Sequence, residues 1–485
     1  MRFRLLVILA LIVTLCACRE ERISDDPSLR LTFSTDTLSF DTVFTSMGSA
    51  TLRFTVYNYN ANAVLINRIW QDSGNEFKTN IDGENDLSRA IDRQLNGGDS
   101  LIVFVKVFID PTKQNAAVLV EDNLHFALNG NVQTVHLEAF GQDVRLFKTP
   151  KRLTVLNEME FNADKPYLIY DTLAVRNKTT FKAGAKLYFH NDAVLLAYGD
   201  VEAQGTLTEP VMLRGDRIDN LYDSVSYAYV AGMWGGLYLM DEQSAPQKTY
   251  KLDYMDITSA NVGLFCVSDK SAGLPKMTLT NSRIHNHAIY GLVLQHIDAT
   301  VANCEISNAA AYCVYLSGGK QRFVHSTIAS FFNSTNVRIQ STPREDVAAV
   351  YINNVSKNQI PTHATFINSI VTGVRRNNLL LATPLPRFYE DTFACNYLKA
   401  DTVFIPAAIG NIYWQEDDTT ALFRNTYYKY KEYSYYDFRL DSLSPARAIA
   451  DSVTALSYPF DRYGRPRIRF QEGDTIYPDA GCYQY

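Results

Sequence analysis

The sequence predicts an all-β chain, an N-terminal β-sandwich followed by a parallel β-helix. Three observations carry this. Between residues 29 and 143, period-2 runs such as Thr51-Leu52-Arg53-Phe54-Thr55-Val56-Tyr57 alternate with Asn and Gly clusters at 58–62, 97–98 and 129–131, the pattern of half-buried antiparallel strands joined by turns. Between about 165 and 412, a 22-residue repeat returns apolar residues to fixed columns. No helical periodicity of useful length interrupts either region.

Composition narrows the function classes. The 485 residues are 46% apolar and 20% charged, so disorder and collagen-like repetition are excluded. The 46 basic and 52 acidic residues are well mixed and leave a net charge of −6. Without a basic stripe, nucleic acid is not an expected partner. Aromatics reach 12%, with 30 Tyr and 26 Phe, in keeping with a β-rich chain.

At the N-terminus, Arg2 and Arg4 precede an apolar run from Leu5 to Leu15 that is too short to span a bilayer comfortably. Leu15-Cys16-Ala17-Cys18 resembles a bacterial lipobox. The resemblance implies that residues 1–17 are a lipoprotein signal peptide and that Cys18 carries the lipid, making the membrane a partner through that anchor. A plain secretory signal is the alternative. Residues 18–28 read as a tether. Within it, Arg19-Glu20-Glu21-Arg22 resembles the surface-export signal of Bacteroidetes lipoproteins. That implies an outer-membrane lipoprotein at the cell surface, with a periplasm-facing placement as the alternative. Cys266, Cys304, Cys313, Cys395 and Cys482 are few, odd in number and free of CxxC spacing. Buried thiols are expected, not a disulfide framework or a zinc site.

The sandwich segment, 29–143, includes "LSFDTVFTSMGSATLRFTVYNYNANAVLINRI" and "GGDSLIVFVKVFIDP". It resembles the ASH-like, immunoglobulin-type domains of bacterial envelope proteins, which implies a spacer or adaptor role.

The repeat is explicit in Asn281-Ser282-Arg283-Ile284-His285-Asn286, Asn303-Cys304-Glu305-Ile306-Ser307-Asn308 and His325-Ser326-Thr327-Ile328-Ala329-Ser330. Ile284, Ile306 and Ile328 form one column. Leu279, Val301 and Phe323 form another, and Ser282, Cys304 and Ser326 a small-residue column. Leu292 and Leu294 align with Val314 and Leu316 on the next strand, Arg283 falls beside Glu305, and Asn286 beside Asn308 at a turn. Tyr254-Met255-Asp256-Ile257 fits upstream with five extra residues. Asn368-Ser369-Ile370-Val371 fits downstream at 43 residues, about two coils less one residue. Stacked coils with apolar columns bury one continuous core, and roughly ten of them at about 4.8 Å each give a rod near 45 Å long. A leucine-rich repeat would need LxxLxLxxN, which these coils lack.

The opening "FKAGAKLYFHNDAVLLAYGDVEAQGTLTEPVMLRGD", the element Met233 to Leu239 and the tail "LDSLSPARAIAD…DRYGRPR…PDAGCYQY" resemble right-handed parallel β-helix proteins of the pectin-lyase-like superfamily. The resemblance implies a right-handed β-helix over 150–412 and further coils with a C-terminal cap over 413–485. It implies little about activity, since that superfamily holds lyases, hydrolases, epimerases, adhesins and structural proteins.

The chemistry such folds carry elsewhere is not written here in recognisable form. Of the polygalacturonase-like elements, Asn336-Val337-Arg338-Ile339-Gln340 echoes one, without its Lys, and Asp417-Asp418 lies outside the repeat. Outward acids such as Asp253, Asp256 and Glu305 read as scattered, where a calcium-dependent lyase needs them clustered. Arg375 and Arg376, on a strand, would face opposite sides. His285 and His287 flank Asn286 on one face, and His296 follows; turn positions explain all three. No HExxH, nucleophile elbow, P-loop or GxGxxG occurs. No catalytic, cofactor-binding or metal-binding residue is therefore assigned. Carboxylates, or a His with an Arg, converging in one outward groove would favour an enzyme, and scattered outward charge would favour binding. Tyr290, Tyr312 and Tyr315 point outward, with Val293 and Cys266 in the Tyr315 column. Such a face stacks on sugars or is covered.

Asp-Ser/Thr-aliphatic tripeptides place hydroxyls at Thr37, Thr42, Ser100, Thr172, Ser224, Thr402, Ser442, Ser452 and Thr475, where composition alone gives about two. The pattern resembles the O-glycosylation sequon of Bacteroidetes exported proteins. The alternative is strand grammar, in which Asp ends a turn and the next residues start a strand. The expected function is a non-catalytic, envelope-anchored lipoprotein whose β-helix presents an interaction surface for polysaccharide or envelope proteins. The alternative is a polysaccharide lyase or glycoside hydrolase with an unrecognised site.

Overall fold

The computed structural model describes residues 22–89, 91–222, 225–242, 246–332, 347–353, 360–382, 392–400, 412–415, 421–426, 436–471 and 474–485. The chain divides into two compact units between Asp143 and Val144.

The first unit pairs a four-stranded sheet with a five-stranded sheet. The four-stranded sheet runs Thr32–Phe33, Leu52–Tyr57, Ser100–Val107, Phe77–Ile81 in spatial order. The five-stranded sheet runs Thr37–Phe44, Asn131–Gln142, Val118–Leu128, Val64–Gln71, Ile91–Leu95. Alternation does the sorting. Along Ser100–Val107 every second residue is buried, so Leu101, Val103, Val105 and Val107 meet Ile66, Leu124 and Phe126 in one core. Each such side chain, fully buried, contributes about 1.5–3 kcal/mol. One pairing departs from the antiparallel expectation: Thr37–Phe44 runs parallel to Asn131–Gln142. These strands are far apart in sequence, so no hairpin constrains their direction.

The second unit is a parallel β-helix. Each coil contributes a strand to each of three parallel sheets, which we call sheets one, two and three in the order the chain first meets them. Sheet one begins at Arg145–Phe147, sheet two at Leu153–Leu156 and sheet three at Met159–Phe161. Among the described residues they hold eleven, nine and nine strands. The first coil thus lies some twenty residues before the repeat becomes readable in the sequence.

The columns read from the sequence are pairs in the ladders. Ile284, Ile306 and Ile328 are successive partners, as are Leu279, Val301 and Phe323, and all six are fully buried. The 43-residue step is different from expectation: Ile328 pairs directly with Val371. It is one coil, enlarged at the corners between Ser330 and Ala348 and between Asn353 and Thr362. Corner insertions leave the ladders intact, and closure entropy grows only slowly with loop length.

One residue per coil turns the chain from sheet three to sheet one in the left-handed region. Tyr254, Asn281, Asn303, His325, Asn368 and Cys395 occupy this position, with φ of 45° to 55°. Asn tolerates that conformation better than most side chains. The asparagines also link coils, with Asn303 Nδ2 donating to Asn281 Oδ1 at 3.2 Å and Asn308 Nδ2 to Asn286 Oδ1 at 3.3 Å.

Residues 436–485 fold back along the outside of sheet one. Phe423, Phe438, Leu440, Cys482 and Tyr483 pack with Ala329, Ile370 and Tyr397 in a second small apolar core. Arg467 donates to Asn303 Oδ1 at 2.7 Å, and the Asp451 N–H donates to Asn368 Oδ1 at 2.7 Å. The C-terminal segment is thereby fastened to the asparagine corner.

Candidate functional site

Three neighbouring strands of sheet one, Met255–Thr258, Arg283–His287 and Glu305–Ala309, place Asp256, Arg283 and Glu305 in one outward column. The next outward column holds Thr258, His285 and Ser307. Arg283 grips Asp256 with Nε at 3.2 Å and a terminal nitrogen at 2.6 Å. His285 Nε2 lies 3.3 Å from the same carboxylate, and Asn286 Nδ2 is 3.0 Å from His285 Nδ1. Glu305 accepts from Ser307 Oγ at 2.8 Å and from the Tyr483 hydroxyl. Tyr229, Tyr436, Asp437, Phe438, Tyr463 and Tyr483 close over these groups, leaving about 420 Å³ of space that includes open solvent.

The electrostatics follow from cover. Burial alone would raise the Asp256 carboxyl, but the Arg283 charge and the nearby His285 hold it well below the usual carboxylate range. Arg283 gains correspondingly from Asp256. Burial, reinforced by Arg283, lowers His285, and burial pushes His287 down to about 3. Burial and the Glu305 charge together drive the Tyr483 hydroxyl well above its ordinary value. The carboxylates, the guanidinium and the phenol satisfy one another. The arrangement seals the C-terminal segment onto sheet one through charge-assisted hydrogen bonds.

This corrects the sequence reading at two positions. Asp256 and Glu305 are not scattered solvent-facing acids: with Arg283 and His285 they converge beneath the chain's own C-terminal segment. Asp253 does stand apart, on sheet three, accepting from Thr280 Oγ1 at 2.7 Å and Asn281 Nδ2 at 2.9 Å. Nor do the two histidines share a face. The left-handed Asn286 between them (φ 61°) breaks the alternation. His285 faces outward, while His287 is fully buried against Gly263, where an added Cβ would lie 2.7 Å from its Nε2. His296 is buried, its Nδ1 2.8 Å from the Ser268 carbonyl oxygen. The Tyr483 contribution was missed; local sequence carries no sign that a segment 178 residues beyond Glu305 returns to this column.

A second feature lies on the outward side of sheet two. Tyr238, Phe265, Val293, Tyr315 and Tyr351 are successive partners in adjacent strands, continued by Leu196 on one side and Leu380 on the other. All are half-buried except Val293, which is buried. Phe265, not Cys266, belongs to the Tyr315 column; Cys266 pairs with Leu294 inside the core. The one-residue error arises at the corner between sheets one and two, where the spacing between these coils grows from 27 residues (Thr258 to His285) to 28 (Val262 to Tyr290). Tyr290 and Tyr312 form a parallel pair beside this column. The rings stack on one another, Tyr315 on Tyr351 at 5.5 Å and Tyr312 on Tyr351 at 4.8 Å between centroids.

The remaining sequence candidates are dispersed. Arg375 and Arg376 sit in the turn after strand Ile370–Gly373 and are both exposed, not on opposite faces of a strand. Of the hydroxyls, Ser100 and Ser442 are exposed, and Thr37, Thr42, Thr172 and Ser452 half-buried. Thr37, Ser100 and Thr172 open strands, Thr475 lies in one, and Ser452 opens a helix whose N-cap is Asp451. Cys18, Ser224, Thr402, Asn336 to Gln340 and Asp417-Asp418 lie outside the described residues. Cys266, Cys304, Cys313 and Cys482 are buried free thiols and Cys395 is half-buried. Among the described residues no group of three or more His, Cys, Asp or Glu could hold a metal ion, and no helix is long and apolar enough to cross a membrane.

No family model matches the chain, and no curated protein matches it. Among solved structures, the VesB protease of Vibrio cholerae is 17% identical over 23% of this chain, with a TM-score of 0.17. The aligned part is 31% of that chain. The ASH/PapD-like domain 7 of human CEP192 is 11% identical over 26% of this chain and 94% of that domain, also with a TM-score of 0.17. At that score neither likeness enters the argument.

Proposed function

We propose that the protein is an envelope-anchored, surface-exposed lipoprotein, lipidated at Cys18, whose β-helix presents a non-catalytic interaction surface to polysaccharide or to other envelope proteins. On this reading the helix is of the right-handed, pectin-lyase-like kind. The observation that carries it is the outward column Leu196, Tyr238, Phe265, Val293, Tyr315, Tyr351 and Leu380, one residue per coil along sheet two. A column repeating at about 4.8 Å suits an extended partner. Tyr315 stacks on Tyr351 at 5.5 Å, so the column offers a run of half-buried aromatic and aliphatic surface along successive coils.

A second reading, a polysaccharide lyase or glycoside hydrolase, draws on the convergence of Asp256, Arg283, His285 and Glu305. Against it, each carboxylate is already engaged, and Tyr483 and its neighbours occupy the approach. The two readings separate in one experiment. The chain from Arg19 onward is incubated with purified polysaccharides, with binding and product release both recorded. Binding without product release, weakened by Tyr315→Ala and Tyr351→Ala, is the expected result. Shortened or unsaturated oligosaccharides, lost in Glu305→Gln, would overturn the non-catalytic reading.

A further inference from the structure

The outer face of the four-stranded sheet in the first unit is one-sided in charge. Arg53, Lys78 and Lys106 point outward from its strands, with Lys106 directly opposite Lys78. Like charges in that position destabilise a sheet. The other outward strand positions, Thr32, Thr55, Tyr57, Asn80 and Ser100, carry no charge. Asp99 and Glu76 lie at the rim, and Asp82 is paired with Arg93 at 3.3 Å. Neither Arg53 nor Lys106 has an ion-pair or hydrogen-bond partner among the described residues. The same face carries three apolar side chains that the fold leaves open, Phe104 opposite Arg53, Ile102 opposite Thr55 and Phe108 two residues past Lys106, at 38%, 40% and 46% exposure. Tyr59, 70% exposed, stacks on Tyr57 at 5.2 Å at the end of the same face.

The chain enters this unit close by. Ile23 bridges to Ala63, four residues after Tyr59. Cys18 precedes Ile23 by only five residues, a reach of at most about 17 Å when fully extended. On the lipid-anchor reading, that reach keeps Ile23 near the headgroups.

We infer that this face docks flat on an anionic lipid membrane, with Arg53, Lys78 and Lys106 against lipid phosphates and Ile102, Phe104 and Phe108 at the acyl boundary. Basic residues near an anionic leaflet are attracted within a Debye length, and exposed aromatic side chains favour the bilayer interface. The inference rests on the lipid-anchor reading for its geometry, but the face itself is testable without the lipid.

The chain from Arg19 onward, which carries no acyl group, is sedimented with vesicles of phosphatidylcholine alone and of phosphatidylcholine and phosphatidylglycerol at 3:1. Binding to the 3:1 vesicles only, abolished by high salt, is expected. Each cation reversed, as in Arg53→Glu and Lys106→Glu, should lower partitioning roughly fivefold or more. Phe104→Ser should weaken binding while leaving its salt dependence unchanged. A cooperative melt no lower than the parent's shows that these surface variants still fold, with Lys106→Glu expected to melt slightly higher because it faces Lys78. No binding to the 3:1 vesicles, equal binding to both compositions, unchanged binding in the charge-reversed variant, or binding to an acidic polysaccharide in place of vesicles would each overturn the inference. Loss of fatty-acid labelling at Cys18 in cells, with vesicle binding intact, would sink the anchor and leave the face standing.

Discussion

The Tyr483 hydroxyl donates to Glu305 Oε2 across a sequence separation of 178 residues. Both groups are buried, and Glu305 lies only one position from the core residue Ile306. The strand therefore has two buried faces at this coil, one turned to the helix core and one to the C-terminal segment.

Removing either partner of that bond should be costly. Tyr483→Phe is expected to destabilise the second unit by about 1–3 kcal/mol, and Glu305→Ala by at least as much, because each leaves a buried polar group unpaired. The double variant should lose less than the sum. Denaturant melts of the four proteins measure the coupling. A Glu305→Ala cost within about 0.5 kcal/mol, the value of an exposed position, would mean that the segment does not dock there.

The opposite face sets a different scale. Ile306→Ala should cost about 2–5 kcal/mol as a cavity between Ile284 and Ile328, and Ile306→Asp should prevent folding by burying an unpaired charge. If both variants melt like the parent, the column register is wrong.

Acid should weaken the fold early. His285, His287 and His325 are all held below their ordinary value by burial. As pH drops below about 6.5 the unfolded chain takes up protons that the folded chain refuses. Stability is then lost with a slope of about 1.4 kcal/mol per unit for each such histidine. For His287 the loss continues to about pH 3, its folded value. Urea melts between pH 7 and 4 should show this slope, reduced by roughly a third in His287→Gln. Asp256 adds a loss below its ordinary carboxylate range, since its folded value is depressed. A pH-independent midpoint from 7 to 4 would contradict the burial of these rings.

Cys18 should carry the lipid and Cys16 should not. Metabolic labelling with a fatty-acid analogue is expected to vanish in Cys18→Ala and persist in Cys16→Ala; the reverse pattern moves the cleavage site.

Several Asp-Ser/Thr-aliphatic hydroxyls are expected to carry O-glycans. Intact mass of protein from a Bacteroidetes host should exceed the polypeptide mass by sugar increments, with the exposed Ser100 and Ser442 modified first. A bare polypeptide mass would leave strand grammar as the cause, for which Thr37, Ser100 and Thr172 already provide examples.

What was legible follows a physical rule. The 22-residue step could be read because neighbouring coils bury the same side chains against one another, so Ile284, Ile306 and Ile328 repeat. The 43-residue step was misread because a corner insertion has no packing partner to impose a period. Phe265 was displaced by one residue because one extra residue at the corner between sheets one and two leaves no mark in composition. The Asp256–Arg283–Glu305 column looked solvent-facing because alternation tells which face a residue is on. It does not tell whether that face is wet. Only the return of residues 436–485 decides that, and the contacts that decide it, Tyr483 to Glu305 and Arg467 to Asn303, join stretches with no shared pattern.

That return also changes how the rod bears load. The C-terminal segment fastens by hydrogen bonds at Asn303, Glu305, Thr327 and Asn368, and packs on Tyr397 of the strand Asn396–Leu398. A pull applied from the C-terminal side enters the solenoid through its middle coils. Peeling the rod coil by coil from that side first requires breaking the clamp.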